Sequence, residues 1–337
     1  LVYTYGKPVI AKKVDGTWVV VVTSGYDNGT LSADNITANS PAGDGLGYLY
    51  VLNAGTGAII SAISTGTGSA TTPSGLAKFN IYNDTPGGDL NKGSLAGFVY
   101  GGDLEGNVWR FDINSSASAA IGTGNVSNFA TLFSDTAGTV PQPITAAPTL
   151  GLIDNQRVIY VGTGKYLESA DLGNTQQQSL YAIKDDGTAL TNPRTTLVEQ
   201  TITNSGASRT GTDNPVDFTT GRGWYVDFPD TGERTNVDFL LTRGILIVPT
   251  IVPSNTVCSP GGYGWFNYFG YKTGLAGGDQ TISPIVGINM VYINGEPIPS
   301  YVLASGQTGV PPPPPFESTT HSGFQKIRQG WRELIPE

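Results

Sequence analysis

"GGDLEGNVWRFDI", residues 101–113, decides how the rest of the chain is read. Two glycines and Asp103 close one apolar stretch, Gly106-Asn107 supplies a tight turn, and an aromatic-apolar alternation follows. Asp103, Asn107 and Arg110 are therefore either a chemical site or punctuation in a repeated fold. The second explanation requires the cassette to recur.

It does recur. "GYLYVLNAGTGAII" from Gly47, "GNVWRFDINSS" from Gly106, "QSLYAIKDDGTAL" from Gln178, "GWYVDFPDTGERTN" from Gly223 and "GWFNYFGYKTGLAG" from Gly264 share one plan. Each alternates aromatic or apolar with other residues at period two, the mark of a half-buried strand. Each then reaches a turn rich in Asn, Asp, Gly, Ser or Thr. Ala54-Gly55-Thr56-Gly57 and Asp185-Asp186-Gly187 read as hairpin turns, because Gly and Asn accept the positive φ such turns need.

More apolar strands precede the cassettes: "WVVVVTSGYDN" (18–28), "GFVYGGD" (97–103), "RVIYVGTGKY" (157–166) and "GILIVPTIVP" (244–253). Further upstream, "KPVIAKK" (7–13) and "PITAAPTLGL" (143–152) suit a crowded strand at a sheet edge. A strand-strand-strand-turn unit repeated in a Gly-rich chain points to the blades of a β-propeller. A β-sandwich would not repeat one cassette five times. Helical patterning is confined to Ser169–Leu172 and the tail around Gln325–Leu334. The Ser/Thr/Gly/Asn-rich insertions 112–140 and 199–220 read as surface loops. "GVPPPPPFESTT" (309–320) reads as a polyproline spacer. The expected division is a propeller over 1–305 and a Pro-rich linker and tail over 306–337, with 283–304 adding part of a sixth blade.

Composition removes several functions. A formal charge of −9 opposes a nucleic-acid groove, which wants clustered Lys and Arg. No apolar run approaches the ~18 residues of a spanning helix. One cysteine, Cys258, forbids an intrachain disulfide, and one histidine, His321, removes a His-rich zinc site or a Cys-His dyad. "GTGKYLES" (162–169) lacks the spacing of a phosphate loop. The opening "LVYTYGKPVI" has no signal-peptide pattern, and five cassettes rarely close a ring. The expectation is a C-terminal part of a longer protein, with one or two blades encoded upstream of Leu1.

The strings also carry a family likeness. "YTYGKPVIAKKVDGTWVVVVTSGYDNG" (3–29), "GYLYVLNAGTGAII" (47–60), "FVYGGDLEGNVWRFDI" (98–113), "PITAAPTL" (143–150), "IYVGTGKYLESADL" (159–172), "SLYAIKDDGT" (179–188), "GWYVDFPDTGERTN" (223–236) and "GWRELIPE" (330–337) fall in order along most of the chain. Together they resemble the C-terminal β-propeller domain of the type IV pilus biogenesis and tip-adhesin proteins of the PilY and PilC kind. "YGGDLEGNVWRFD" is the most specific of them. The resemblance implies an all-β, quinoprotein-like propeller of about seven blades in the full domain. It implies an extracellular protein of the pilus tip and bacterial outer surface. Its partners would be minor pilins, the tip complex, and a host or abiotic surface ligand. Its role would be to promote pilus extension and surface adhesion.

The same resemblance implies calcium. Calcium-regulated relatives carry an Asp/Asn-rich loop just before the Gly-Asp-x-x-Gly-Asn-x-Trp segment, and calcium wants six to eight hard oxygens. Here "NIYNDTPGGDLNKGSLAGFVYGGD" (80–103) offers Asn83, Asp84, Asp89 and Asn91, with Pro86 and Lys92 interrupting the spacing. Asp27, Asn28 and Asp44 are further oxygen donors that Asx-Gly turns explain equally well. A quinoprotein dehydrogenase would stack its cofactor on a Trp, but Trp18, Trp109, Trp224 and Trp265 occupy strand positions suited to packing between blades. No motif nominates the carboxylate pair of a retaining glycosidase. A binding module is the reading this inventory supports, with a scaffold propeller as its alternative and an enzyme behind both.

Overall fold

The computed structural model describes residues 6–29, 43–84, 95–115, 125–254, 261–293 and 296–313. The alternating stretches become strands of successive antiparallel sheets. The first sheet holds β1 (Val9–Lys12), β2 (Trp18–Thr23), β3 (Tyr48–Asn53) and β4 (Ile59–Ser64) in that order. The second holds β5 (Phe79–Asp84), β6 (Leu95–Gly102), β7 (Asn107–Asp112) and β8 (Val126–Thr131), again in order. The β3–β4 turn forms as its residues dictate: Asn53 Oδ1 accepts from Gly55 N and Thr56 N, and Gly57 has φ +73°.

Order breaks in the third sheet. After β9 (Thr149–Ile153), β10 (Gln156–Gly162) and β11 (Ser179–Lys184), the chain runs through β12 (Val198–Gln200), β13 (Ile202–Ser205) and β14 (Ser208–Gly211) before β15 (Gly223–Asp227). β15 pairs antiparallel with β11, and β12 adds to β15 in parallel. The cassettes from Gln178 and Gly223 are therefore neighbouring strands of one sheet, which corrects their reading as separate blades. Asp185-Asp186-Gly187 is likewise no hairpin between adjacent strands, because the partner strand arrives only at Gly223.

The fourth sheet contains β16 (Leu240–Thr242), β17 (Ile245–Val252), β18 (Tyr263–Gly270) and β19 (Ala276–Thr281), extended past β19 by β14 and then β13. A three-stranded sheet follows, from β20 (Ile285–Ile293), β21 (Glu296–Leu303) and β22 (Thr308–Gly309). This last sheet realises the strand content expected of 283–304 and runs on to Gly309. The Tyr268 hydroxyl then donates to the Pro312 carbonyl. The readings placed on Cys258 and on the tail from residue 314 lie outside the described residues.

Two insertions read as loops contain strands instead. β8 lies within 112–140, and β12 to β14 occupy much of 199–220. Their small polar residues conceal strand pairing at and beside sheet edges, which needs backbone groups more than apolar side chains.

Consecutive sheets pack face to face through four apolar layers, the architecture of propeller blades. Val21, Val51, Val99 and Phe111 lie between the first and second sheets. Val108, Phe129, Val161 and Tyr181 fill the next seam, and Tyr160, Trp224, Leu246 and Phe269 the one after. Ile247, Phe266, Ile285 and Leu303 form the last. Trp109 and Trp224 pack between sheets as expected. Trp18 does not: it is 55% exposed on the outer face of the first sheet, with the Lys12 ammonium over its ring.

One hydrogen bond recurs at each of the first three seams, joining the end of a second strand to the segment that enters the next sheet. Gly25 N donates to Leu76 O, Ile144 N to Asp103 O, and Thr235 N to Thr163 O, all at 2.9 Å. Such close approach requires small residues. A Cβ on Gly102 would lie 2.2 Å from Ile144 Cγ2.

Candidate functional site

The Asp103 cluster is the first candidate. Its side chain is fully buried, and Oδ1 accepts from Glu105 N at 3.0 Å and Asn107 N at 2.9 Å. Oδ2 accepts from Trp109 Nε1 at 2.8 Å and Asn107 Nδ2 at 3.0 Å. Its carbonyl receives the seam bond from Ile144. Burial pushes the carboxyl up to about 6, against the opposing pull of Trp109 and Asn107. Every oxygen is engaged inside the protein, so Asp103 has the role of a turn fastener. Arg110 reaches the third sheet, where its Nη1 lies 2.8 Å from Asp185 Oδ1. The opening motif is architectural.

A second candidate lies where the entry segments of three sheets converge. Lys78 Nζ, at the entry to β5, meets Asp238 Oδ1, before β16, at 2.8 Å. The same oxygen accepts from Ala147 N, before β9, at 3.0 Å. Beside this node stands the segment 165–174. Two shallow cavities, of about 250 and 130 Å³, share Tyr166 and Leu167 in their walls; the smaller also touches Tyr26, Lys78, Thr145 and Asn236. Tyr166 is 36% and Leu167 47% exposed.

The 165–174 segment is held from below. Arg234, nearly fully buried, donates to the carbonyls of Gly232, Lys165, Asp171 and Asn174. Asp171 Oδ2 accepts from Leu167 N and Glu168 N, opening the 3-10 turn Ser169–Gly173. Lys165 Nζ adds ion pairs to Glu168 and Asp171 at 2.5 and 3.2 Å. The result is a stiff loop that presents an aromatic and an aliphatic side chain to solvent. Nothing in "GTGKYLES" taken as a failed phosphate loop, or in the helical pattern at Ser169–Leu172, marks this loop as a contact surface. An exposed Tyr-Leu pair between two polar turns is the signal that could have found it.

The expected calcium ligands divide. Asn83 is exposed near the end of β5, and Asp84 closes that strand opposite Leu95. Asp89 and Asn91 lie outside the described residues. Asp44 accepts from Leu46 N and the Tyr48 hydroxyl, a local turn role, whereas Asn28 Nδ2 donates across 18 residues to Leu46 O and so ties two segments together. Among the described residues no three His, Cys, Asp or Glu side chains gather as metal ligands would. No described helix is long and apolar enough to cross a membrane.

Fold and surface together define a β-propeller that carries a firmly held loop beside two shallow cavities. The chain belongs to the family of PilY1 beta-propeller domains, whose family model matches residues 1–210. The type IV pilus biogenesis factor PilY1 of Pseudomonas aeruginosa strain PAO1 is 30% identical over 309 residues, covering 78% of this chain and 25% of that protein. A PilY1 homolog from Xylella fastidiosa strain Temecula1 is 28% identical over 361 residues, covering 98% of this chain and 26% of its own length. The chain thus spans about a quarter of these curated relatives. The crystal structure of the Pseudomonas aeruginosa PilY1 C-terminal domain superposes with a TM-score of 0.68 at 22% identity, over 93% of this chain and 72% of that one. That likeness supports the propeller fold.

Proposed function

We propose that this chain is the propeller portion of a type IV pilus biogenesis factor, acting at the bacterial outer surface. In this reading it promotes pilus assembly and extension with minor pilins at the pilus tip. It adheres to a surface ligand through the face that bears Tyr166 and Leu167. Family membership carries the pilus role, and the stiff, exposed Tyr-Leu loop carries the adhesive one. Rigid aromatic contacts lose little entropy on binding. Cavities of about 250 and 130 Å³ fall below the ~300–1,000 Å³ of sites that enclose a small molecule, so a surface contact suits the loop better than catalysis.

A Tyr166→Asp, Leu167→Asp allele in a piliated strain tests this. Lost attachment with normal piliation supports the adhesive face. Lost pili with an intact fold favours a scaffold role in assembly. Unchanged attachment and pili remove this loop from both. Calcium held by Asn83, Asp84, Asp89 and Asn91 is part of the same proposal. Isothermal titration of calcium into an Asp84→Ala, Asp89→Ala variant tests it, and binding equal to that of the parent rejects these ligands.

A further inference from the structure

The arginines of this chain are not used alike. Arg194 donates to Asp227, Ser179 and the Phe133 carbonyl; Arg209 to Glu233, Asn267 and Asn204; Arg222 to Thr188 and the Lys184 carbonyl. Arg234 has its four carbonyls, and Arg110 donates to Asp185 and the Gly187 carbonyl. Arg157, on β10, differs from these five. Its guanidinium makes no hydrogen bond to the described residues, and its Nε is buried without a partner, as that of Arg222 is. Its one ion pair among the described residues is a long contact of 3.9 Å to Asp185 Oδ2.

Asp185 does not need it. That carboxylate is fully enclosed and already accepts from Arg110 Nη1 at 2.8 Å, Gly187 N at 2.9 Å and the Tyr100 hydroxyl. Asp112, opposite Phe98 in the β6–β7 register, accepts from Asn114 N and Ser115 N. Two guanidinium groups therefore share the Asp185 carboxylate, whose hydrogen bonds are already met without Arg157.

The surplus cation is also held in place. Arg157 Cζ lies 5.0 Å from the Phe98 ring centroid and 5.8 Å from that of Tyr82, and Arg110 Cζ lies 5.1 Å from Phe98 on the same seam. Aromatic faces fix a guanidinium plane while leaving its N–H edge unused. The Arg157 side chain keeps 31% exposure and that of Arg110 keeps 18%; with Nε enclosed, it is the Nη end of the Arg157 fork that solvent reaches. A planar fork with free donors, fixed before binding, is suited to two oxygens of one anion.

We propose that Arg157, with Arg110 beside it, forms an oxyanion seat at the seam between the second and third sheets, taking a carboxylate or phosphate group of a ligand. The seat lies at the far end of β6 from Asp103 and does not depend on the reading of the Tyr166–Leu167 loop.

The test follows the arginine Nε–H resonances by NMR while sodium phosphate or sodium acetate is titrated into the chain at constant ionic strength. The Arg157 resonance is expected to shift saturably, with phosphate or acetate as the stronger ligand identifying which anion the seat prefers. Arg157→Gln should weaken the stronger anion about tenfold or more, the loss typical of hydrogen bonds to a charged group, as read from anion-dependent thermal stabilisation. Arg157→Lys retains charge without the fork and should also bind more weakly. Arg222→Gln should bind as the parent does. Absence of a saturable shift with both anions, or equal stabilisation of the parent and Arg157→Gln, overturns the proposal.

Discussion

Arg209 and Glu233 form a two-pronged ion pair from which solvent is excluded on both sides. Nη1 lies 2.6 Å from Oε1 and Nη2 2.7 Å from Oε2, with neither side chain exposed. Trp265 covers the guanidinium, whose Cζ is 3.7 Å from the ring centroid, and Asn267 Oδ1 accepts from Nη1 at 2.9 Å. The pair ties β14 to the segment before β16, so it holds an outer strand of the fourth sheet to that sheet's own entry.

Removing Glu233 leaves the enclosed Arg209 with only the longer Asp230 ion pair, at 3.4 Å, among the described residues. Glu233→Gln should lower unfolding free energy by roughly 3–5 kcal/mol, measured by urea denaturation. The double variant Arg209→Met, Glu233→Leu should lose less than the sum of the single changes, because neither fully enclosed charge is left facing a neutral partner. An additive result would show that the two groups are not coupled.

The Gly102–Ile144 contact gives a steric prediction. Gly102→Ala places a methyl against Ile144 Cγ2 and should cost about 1–3 kcal/mol by overpacking. Ile144→Ala in the same chain should return part of that loss. The check is a thermal-melt series of the parent, the two single variants and the double variant; no recovery would mean the clash is with backbone.

Asp103 predicts a pH slope of definite sign. Its folded-state carboxyl titrates at about 6, above the ordinary 3.8, so the folded state holds the proton more tightly than the unfolded chain. The stability from this group is fully present below pH 3.8 and is lost as pH rises through about 6, a change of roughly 3 kcal/mol by linkage. Denaturation of parent and Asp103→Asn between pH 4 and 7 isolates it. Relative to the variant, the parent should gain stability as pH falls; a difference independent of pH would contradict the burial argument.

Arg234 makes the 165–174 loop stiff. Arg234→Met removes the donors to four carbonyls, and amide hydrogen exchange in 165–174 should quicken while the β17–β18 pair keeps its protection. Equal exchange throughout would mean that Asp171 and Lys165 suffice to hold the loop.

Much of the fold could be read from the chain because period-two alternation and Gly-rich turns are local signals. Val99, Val108 and Phe111 were legible as strand residues, and Trp109 as packing between sheets. The pairing of β15 with β11 was not, since sheet membership depends on a partner far away in sequence. β12 to β14 were hidden for another reason: short strands at or next to a sheet edge need few apolar residues. Arg209 and Glu233 meet only after the outer strand folds back, and Arg234 is satisfied by backbone carbonyls that leave no mark on composition. The Asp103 turn was legible as a fastener. The unsatisfied Arg157 guanidinium emerges only when side chains can be counted against their partners.

The four separate apolar layers make the described sheets a linear chain of nearest-neighbour couplings. In such a system each unit is stabilised by the interfaces on its two sides, and the terminal units have one apiece. With Ile10 and Trp18 facing outward, the first sheet is bound through a single layer. Within this array the third sheet, between the layers built on Tyr181 and Trp224, has an apolar interface on each side and should be among the last to lose its order.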